Sequence, residues 1–313
     1  MARIDLRDRL PGVHVVMTTP FRSETELDEE ALRYHTQWLI EHGVRRPDGV
    51  LIPGGSVGEC NVMTVAERKR VMEIVIEEAR GQVPVVPACN DESARKVIDL
   101  VQHAERLGAD GVMLTPTYYT VPTDEQVLSH FRAVSDATSL GIMIYNNQLV
   151  VGRDLPIALL DQLADIPNVA WIKDCTPSFH KLRETVEVIG DRIGVVNCYG
   201  VVWEPYGHDM GCCGFISDEA NFVPEPVVEL YRANRAGDTA RSLELYRSLR
   251  PIARFIATRT WPARLSTIKE GMRLRGLPAG DAYRLPHHRF SHTEHEQLTH
   301  ILVEMGMLMA GDR

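Results

Sequence analysis

The 313-residue chain predicts an α/β fold, a (β/α)8 TIM barrel with a C-terminal helical appendage, on three observations. Short apolar runs rich in Val and Ile recur as far as Ser217, helix-length segments separate them, and beyond that point only helical periodicity continues. Runs that are apolar at successive positions suit strands covered on both faces, the condition of a parallel sheet. Eight such strands alternating with helices point to a closed barrel.

The eight runs are Val13–Thr18, Gly49–Ile52, Val83–Ala88, Gly111–Thr115, Gly141–Tyr145, Val169–Lys173, Ile193–Asn197 and Gly214–Ser217. The intervening helices carry their own boundaries. Thr64-x-x-Glu67 and Thr123-x-x-Gln126 read as capping boxes, in which side chains satisfy the first free amides. Gly43, Gly108 and Gly190 follow apolar-periodic stretches, where a left-handed C-terminal residue is expected. A weak internal echo supports a repeating unit: Arg46-Pro47-Asp48-Gly49-Val50-Leu51-Ile52-Pro53 resembles Gly108-Ala109-Asp110-Gly111-Val112-Met113-Leu114-Thr115-Pro116, each a helix exit followed by a new strand. From about Pro224 to Met309 the periodicity is helical, broken near Pro278 and Pro286. The chain therefore divides into a barrel, residues 1–223, and a helical region, residues 224–313. No low-complexity linker separates them, so one folding unit is expected.

Composition narrows the function. At 44% apolar and 25% charged residues, the chain has the make-up of a soluble globular protein. The formal charge of −9 is spread along the chain without a basic stripe, which gives nucleic-acid binding no electrostatic support. An anionic substrate would need local positive groups or backbone amides. No run approaches a membrane span, and Met1–Leu10 is charged and lacks an apolar signal core. The six cysteines form no CxxC pair and no zinc spacing with histidine, so they are expected to be reduced, in a cytoplasmic protein, acting as small apolar residues. His208 and the pair His287-His288 have no second ligand at metal spacing, and no metal is expected.

Lys173 is the most informative residue. The chain has five lysines, and Lys69, Lys96, Lys181 and Lys269 lie in polar, helix-like surroundings. Lys173 alone ends an apolar run, Val169-Ala170-Trp171-Ile172, at a predicted strand end. A buried ammonium is costly, which favours the neutral amine that attacks carbonyl groups to form an imine. The plainer reading is a strand-end lysine reaching solvent or pairing with Asp174, and strand position alone leaves the two even. Pro53-Gly54-Gly55-Ser56-Val57-Gly58-Glu59 can turn backbone N–H groups toward an anion, although a tight turn explains it equally well. It is no nucleotide P-loop, since no Gly-Lys-Ser/Thr follows. Tyr145 ends the fifth run, and Tyr118-Tyr119 follow the fourth. A phenol at a barrel rim can shuttle a proton if its partner is fixed, but a packed ring is the simpler reading of any one of them.

Together these segments resemble the dihydrodipicolinate synthase / N-acetylneuraminate lyase family, over about Gly12 to Leu308. The matching landmarks run in family order: Thr19-Pro20-Phe21, Gly54 to Glu59, Thr115-Pro116-Thr117-Tyr118-Tyr119, Tyr145-Asn146, Trp171-Ile172-Lys173-Asp174, and Gly214-Phe215-Ile216-Ser217 with Asn221. The tail, Ile268-Lys269 to Gly276-Leu277-Pro278 and then Arg284-Leu285-Pro286, is similar to the family's helical C-terminus. The resemblance implies that Lys173 forms a Schiff base with pyruvate or a related 2-oxo acid and that Tyr145 shuttles protons at that imine. It implies that Gly55, Ser56 and Val57 lie at the pyruvate carboxylate, and that the Ile216 carbonyl borders the pyruvyl group. Tyr119 would reach across a dimer interface to complete a Tyr145–Ser56–Tyr119 hydroxyl relay, so a homodimer or homotetramer is expected. No cofactor is implied beyond the covalent imine.

The departures fall on one side of the site. Val57 stands where the family has a second hydroxyl residue, and Asn147-Gln148 follow Tyr145-Asn146 in place of an apolar residue and proline. Dihydrodipicolinate synthases carry an arginine five residues after the tyrosine; here that position is Val150, with Arg153 three residues on. After the seventh run the chain reads Asn197-Cys198-Tyr199-Gly200 and then Trp203 where the family often has Gly-Asp-Asp. The pyruvate half thus resembles the family while the second half is rebuilt, leaving Asn147, Gln148 and Tyr199 to bond a neutral, hydroxylated or aromatic aldehyde. The expected function is aldol cleavage or condensation through a Lys173 enamine. The alternatives are a 2-oxo acid dehydratase or deaminase of the same family, dihydrodipicolinate synthase proper, and a non-catalytic 2-oxo-acid sensor, for which a retained Lys173/Tyr145 pair has no purpose.

Overall fold

A computed structural model describes residues 10–280, 282–284 and 286–309. The charged residues 1–9 and Leu285 of the tail motif lie outside the described residues. Seven strands are parallel: β1 (Gly12–Val16), β4 (Gly49–Ile52), β5 (Val112–Leu114), β6 (Ile142–Asn146), β7 (Val169–Asp174), β8 (Gly194–Asn197) and β9 (Gly214–Ser217). Their spatial order is β4-β1-β9-β8-β7-β6-β5. Every residue in them is buried, which is why the runs are apolar without alternation. A short antiparallel pair, β2 (Phe21–Ser23) and β3 (Glu26–Leu27), follows β1 and was not foreseen.

The predicted strand at Val83–Ala88 is a correction: it is not a regular strand. Pro84 and Pro87 lack N–H groups and interrupt any ladder. The segment still bonds to both edges of the curled sheet. Leu51 N donates to Pro84 O at 2.9 Å and Val86 N to Leu51 O at 2.9 Å, while Met113 N donates to Pro87 O at 2.9 Å.

Helices α1 (Glu29–Glu41), α2 (Val65–Ala79), α3 (Ala94–Leu107), α4 (Asp124–Ser135), α5 (Gln148–Val151), α6 (Ile157–Ala164), α7 (Phe179–Ile189) and α8 (Tyr206–Asp209) occupy the crossovers. Both predicted capping boxes form, at the starts of α2 and α4. Gly43 and Gly108 are left-handed, with φ of 100° and 80°. Gly190 is not: its φ is −65°, and an added Cβ would lie 2.5 Å from Val186 O. Glycine is needed there because the backbone passes close by.

Beyond β9 come α9 (Pro224–Ala236), α10 (Thr239–Ala257), α11 (Trp261–Leu274) and α12 (His292–Glu304). One apolar cluster runs from Val13 and Val15 of β1 through Ile252 and Ile256 of α10 and Met272 of α11 to Leu302 of α12. The C-terminal helices therefore share the core of the strands. Among the described residues, no helix is long and apolar enough to cross a membrane.

The expectation of six reduced cysteines is corrected by a disulfide between Cys175 and Cys198, whose Cα atoms are 4.8 Å apart. Asp174 of β7 pairs with Asn197 of β8, so the next residues on each strand leave the sheet side by side. Cys60, Cys89 and Cys212 keep their thiols. A separation of 23 residues has no sequence motif; strand register created the proximity.

Candidate active site

The parallel register of β6 and β7 sets Tyr145 beside Lys173. Paired residues on neighbouring strands point to the same face. Lys173 Nζ lies 4.0 Å from the centroid of the Tyr145 ring, and the two residues are 5% and 3% exposed. Asp174 is one residue on and serves elsewhere. Its carboxylate accepts from Asn146 Nδ2 at 2.9 Å, Thr176 N at 3.1 Å and Thr185 Oγ1 at 3.1 Å. Burial pushes the Asp174 carboxyl above the usual range, against the pull of Lys181 and these donors. Asp174 thus braces the strand ends, and the simple Lys173–Asp174 pair is not formed.

Lys173 and Tyr145 form part of the wall of a cavity of about 310 Å³, a size suited to a small metabolite. Asn147 Nδ2 donates to Tyr145 Oη at 2.8 Å while its Oδ1 accepts from Leu149 N at 2.9 Å, capping α5. The amide is fixed at both ends, so the phenol keeps its proton available to another acceptor.

Ser56 and Val57 bring the glycine-rich loop to the wall, and Ile216 of β9 also lines it. Gly54 is left-handed, with φ of 66°, and a Cβ on Gly58 would lie 2.8 Å from Gly54 N, so the loop cannot be built with larger residues at these points. Gly55 is buried behind the wall and does not line the cavity, although its carbonyl accepts from Cys60 N at 3.2 Å. Glu59 closes the loop with a left-handed φ of 59°, unusual without glycine. It is held by Lys269 of α11, whose side chain is fully buried against the Glu59 carboxylate. Lys269 lies on a helix among charged groups, as its sequence neighbours suggested, but it is buried there, and its partner is 210 residues away. Burial favours the neutral form of each member of this pair, lowering Lys269 and raising Glu59, while their attraction opposes it.

Tyr119 does not join the cavity. It is 88% exposed, on a loop held where Glu92 Oε1 accepts from Tyr119 N at 2.7 Å and from Tyr118 N. The chain by itself assembles Lys173, Tyr145, Ser56, Val57 and Ile216, and leaves Tyr119 and Gly55 outside the wall.

The rest of the cavity wall holds residues that sequence reading missed. Asn147, Gln148, Val150 and Tyr199 line it as expected, and Tyr199 stacks on Trp203 at 4.3 Å. Arg153 is turned away: its Nη1 donates to Pro122 O at 2.8 Å and its Nη2 bonds Asp124. Guanidinium groups arrive instead from the helical region, as Arg259 before α11 and Arg264 in its first turn. Arg259 is bound to Glu294 and lies 4.0 Å from the Phe255 ring centroid, whereas Arg264 donates its Nε–H to Asp218 at the exit of β9. An arginine in a polar helix gives no local signal of facing a site made by strands. Cys175 and Cys198 add the disulfide to the wall. Among the described residues, no group of three or more His, Cys, Asp or Glu is placed to hold a metal ion.

A family model described as the dihydrodipicolinate synthetase family matches residues 9–305. A 4-hydroxy-tetrahydrodipicolinate synthase of Pelobacter propionicus is 35% identical over 87% of this chain and 94% of its own length. Among solved structures, YagE, a prophage protein from E. coli K12 in complex with pyruvate, superposes with a TM-score of 0.88 at 28% identity. That match covers 95% of this chain and 99% of the other. The chloride-inhibited dihydrodipicolinate synthase from Acinetobacter baumannii complexed with pyruvate matches with a TM-score of 0.88 at 25% identity, covering 96% of this chain and all of that one.

Proposed function

The chain belongs to the dihydrodipicolinate synthetase family, and from that premise we propose that it is a lyase acting on pyruvate or a related 2-oxo acid through a Schiff base on Lys173. The observation that carries the assignment is a buried amine 4.0 Å from the Tyr145 ring centroid in a cavity wall, on the β7 strand end of what we take as a closed (β/α)8 barrel.

The amine lone pair attacks the C2 carbonyl, and the oxygen takes up a proton to give a carbinolamine. Loss of water leaves the imine, which draws electrons from C3 once protonated. Removal of a C3 proton yields an enamine that attacks an aldehyde carbon; the reverse steps cleave the same bond. Hydrolysis of the imine then frees Lys173. Tyr145 is the proton carrier, oriented by the Asn147 amide. Ser56 and the loop amides bind the carboxylate, with Gly55 shaping the loop from behind and no hydrogen bond from the Val57 side chain. The Ile216 carbonyl borders the pyruvyl group. The imine itself supplies the electron withdrawal, so the proposal includes no added cofactor or metal.

The exposure of Tyr119 supports a relay completed in a second copy of the chain, whose cavity its hydroxyl would enter. Light scattering on the active protein is expected to give a dimer or tetramer; a fully active monomer would remove this role from Tyr119. For the covalent step, incubation with pyruvate and borohydride is expected to place a reduced pyruvyl group on the peptide containing Lys173. An adduct on another lysine, or none at saturating pyruvate, would sink the Schiff-base assignment.

A further inference from the structure

A pyruvate-derived imine uses Lys173, Tyr145 and the glycine-rich loop, yet the cavity continues to the C-terminal helices. Its wall there is apolar at Val150, Ala253, Ile256 and Ala257, with one partly open cation, Arg264. The Arg264 side chain is 31% exposed while Asp218, which takes its Nε–H, is 3% exposed. Asp218 therefore acts as a buried anchor, and the rest of the planar fork reaches the cavity. The second cation, Arg259, is 15% exposed and committed to Glu294. Glu219 also lines this wall, but it accepts from Ser217 Oγ at 2.8 Å and burial pushes its carboxyl toward the neutral acid.

We infer that Arg264 is the specificity-determining residue for the far end of the substrate, binding a carboxylate on the carbon skeleton that extends away from the imine. Val150 gives that end no charge partner and Arg153 is turned away, so the guanidinium supplied by α11 is the group suited to the task. A guanidinium already fixed through Nε loses little freedom on binding and matches a carboxylate with parallel N–H bonds. This reverses the neutral acceptor expected from Val150. The inference rests on the Schiff-base reading, and it makes the natural 2-oxo acid or its acceptor aldehyde an anion at both ends of the assembled skeleton.

The test compares 2-oxo acids of equal length that end in a carboxylate or in a methyl group: 2-oxoglutarate against 2-oxopentanoate, and 2-oxoadipate against 2-oxohexanoate. Half-saturating concentrations for borohydride trapping are measured for each pair. At one length at least, the wild-type protein is expected to prefer the dicarboxylate by about tenfold or more, the scale of a charged hydrogen bond made in a desolvated site. In Arg264→Met the ratio is expected to fall close to one, and in Arg264→Lys to an intermediate value. Because Arg264→Met strands the buried Asp218, the double variant Asp218→Asn/Arg264→Met removes both charges and is expected to give the same collapsed ratio. A wild-type ratio near one at both lengths, or a ratio unchanged in the double variant, overturns the inference. If no 2-oxo acid is trapped at all, the Schiff-base reading fails separately, and calorimetric binding of the same pairs to wild-type and double-variant protein still decides the role of Arg264.

Discussion

Lys173→Ala is expected to lose turnover by at least about 10⁴-fold on any 2-oxo acid substrate, because it removes the covalent route and leaves only binding. Among the described residues Lys173 is the one lysine in the cavity wall, and Lys269 is fully buried against Glu59, so neither it nor another described lysine is placed to take over. The loss should fall on kcat, with the melting temperature held or raised, since the variant exchanges a buried amine for a methyl group. Lys173→Arg should be as inactive, which separates charge from nucleophilicity: a guanidinium keeps the positive charge but forms no imine. Steady-state assay with retro-aldol, condensation and dehydration substrates provides the measurement. Residual turnover within about a hundredfold of wild type would mean that the reaction does not pass through Lys173.

The second large effect concerns stability. Lys269→Met is expected to destabilise the protein by about 3–5 kcal/mol at neutral pH, the cost of leaving one member of a buried ion pair alone. Glu59 would be stranded in a left-handed turn whose geometry the pair fixes, beside Ser56 and Val57 of the cavity wall. Burial already favours its protonated form, so the penalty should shrink as pH falls and the carboxyl takes up a proton. A carboxyl whose proton is held more tightly in the folded than in the unfolded chain makes the variant more stable at low pH, and that contribution is lost as pH rises. The double variant Glu59→Gln/Lys269→Met should recover most of the loss, since neither charge of the pair is left without the other. Denaturant unfolding at pH 5 and pH 8 measures both points. Equal destabilisation at the two pH values, or no recovery in the double variant, would show that Lys269 contributes through packing alone.

How much was legible in the sequence followed the range over which each signal acts. Seven of eight apolar runs became parallel strands, and the two capping boxes formed, because burial on both faces and helix-end hydrogen bonds are written in residues a few positions apart. Val83–Ala88 failed as a strand because its prolines outweighed its apolar character. Gly190 misled because a close approach of backbone leaves the same residue as a left-handed turn. In the site, Lys173 stood out because it closes its own apolar run. Tyr145 drew its role only from the family resemblance, since a packed ring is the simpler reading of a single tyrosine. The parallel register of β6 and β7 then set the two side by side.

By itself, the sequence determined the alternation of strands and helices, their caps, and a lone lysine closing an apolar run. Tertiary structure decided which distant residues meet. Register brought Cys175 to Cys198, the return of α11 brought Lys269 to Glu59 and Arg264 to the cavity, and Tyr119 was left outside it. The reason is physical: periodicity and capping depend on neighbours within a turn or a strand. A charge is accommodated in a core only by a partner that the folded chain supplies, and nothing in the local residues says from which end of the chain that partner will come.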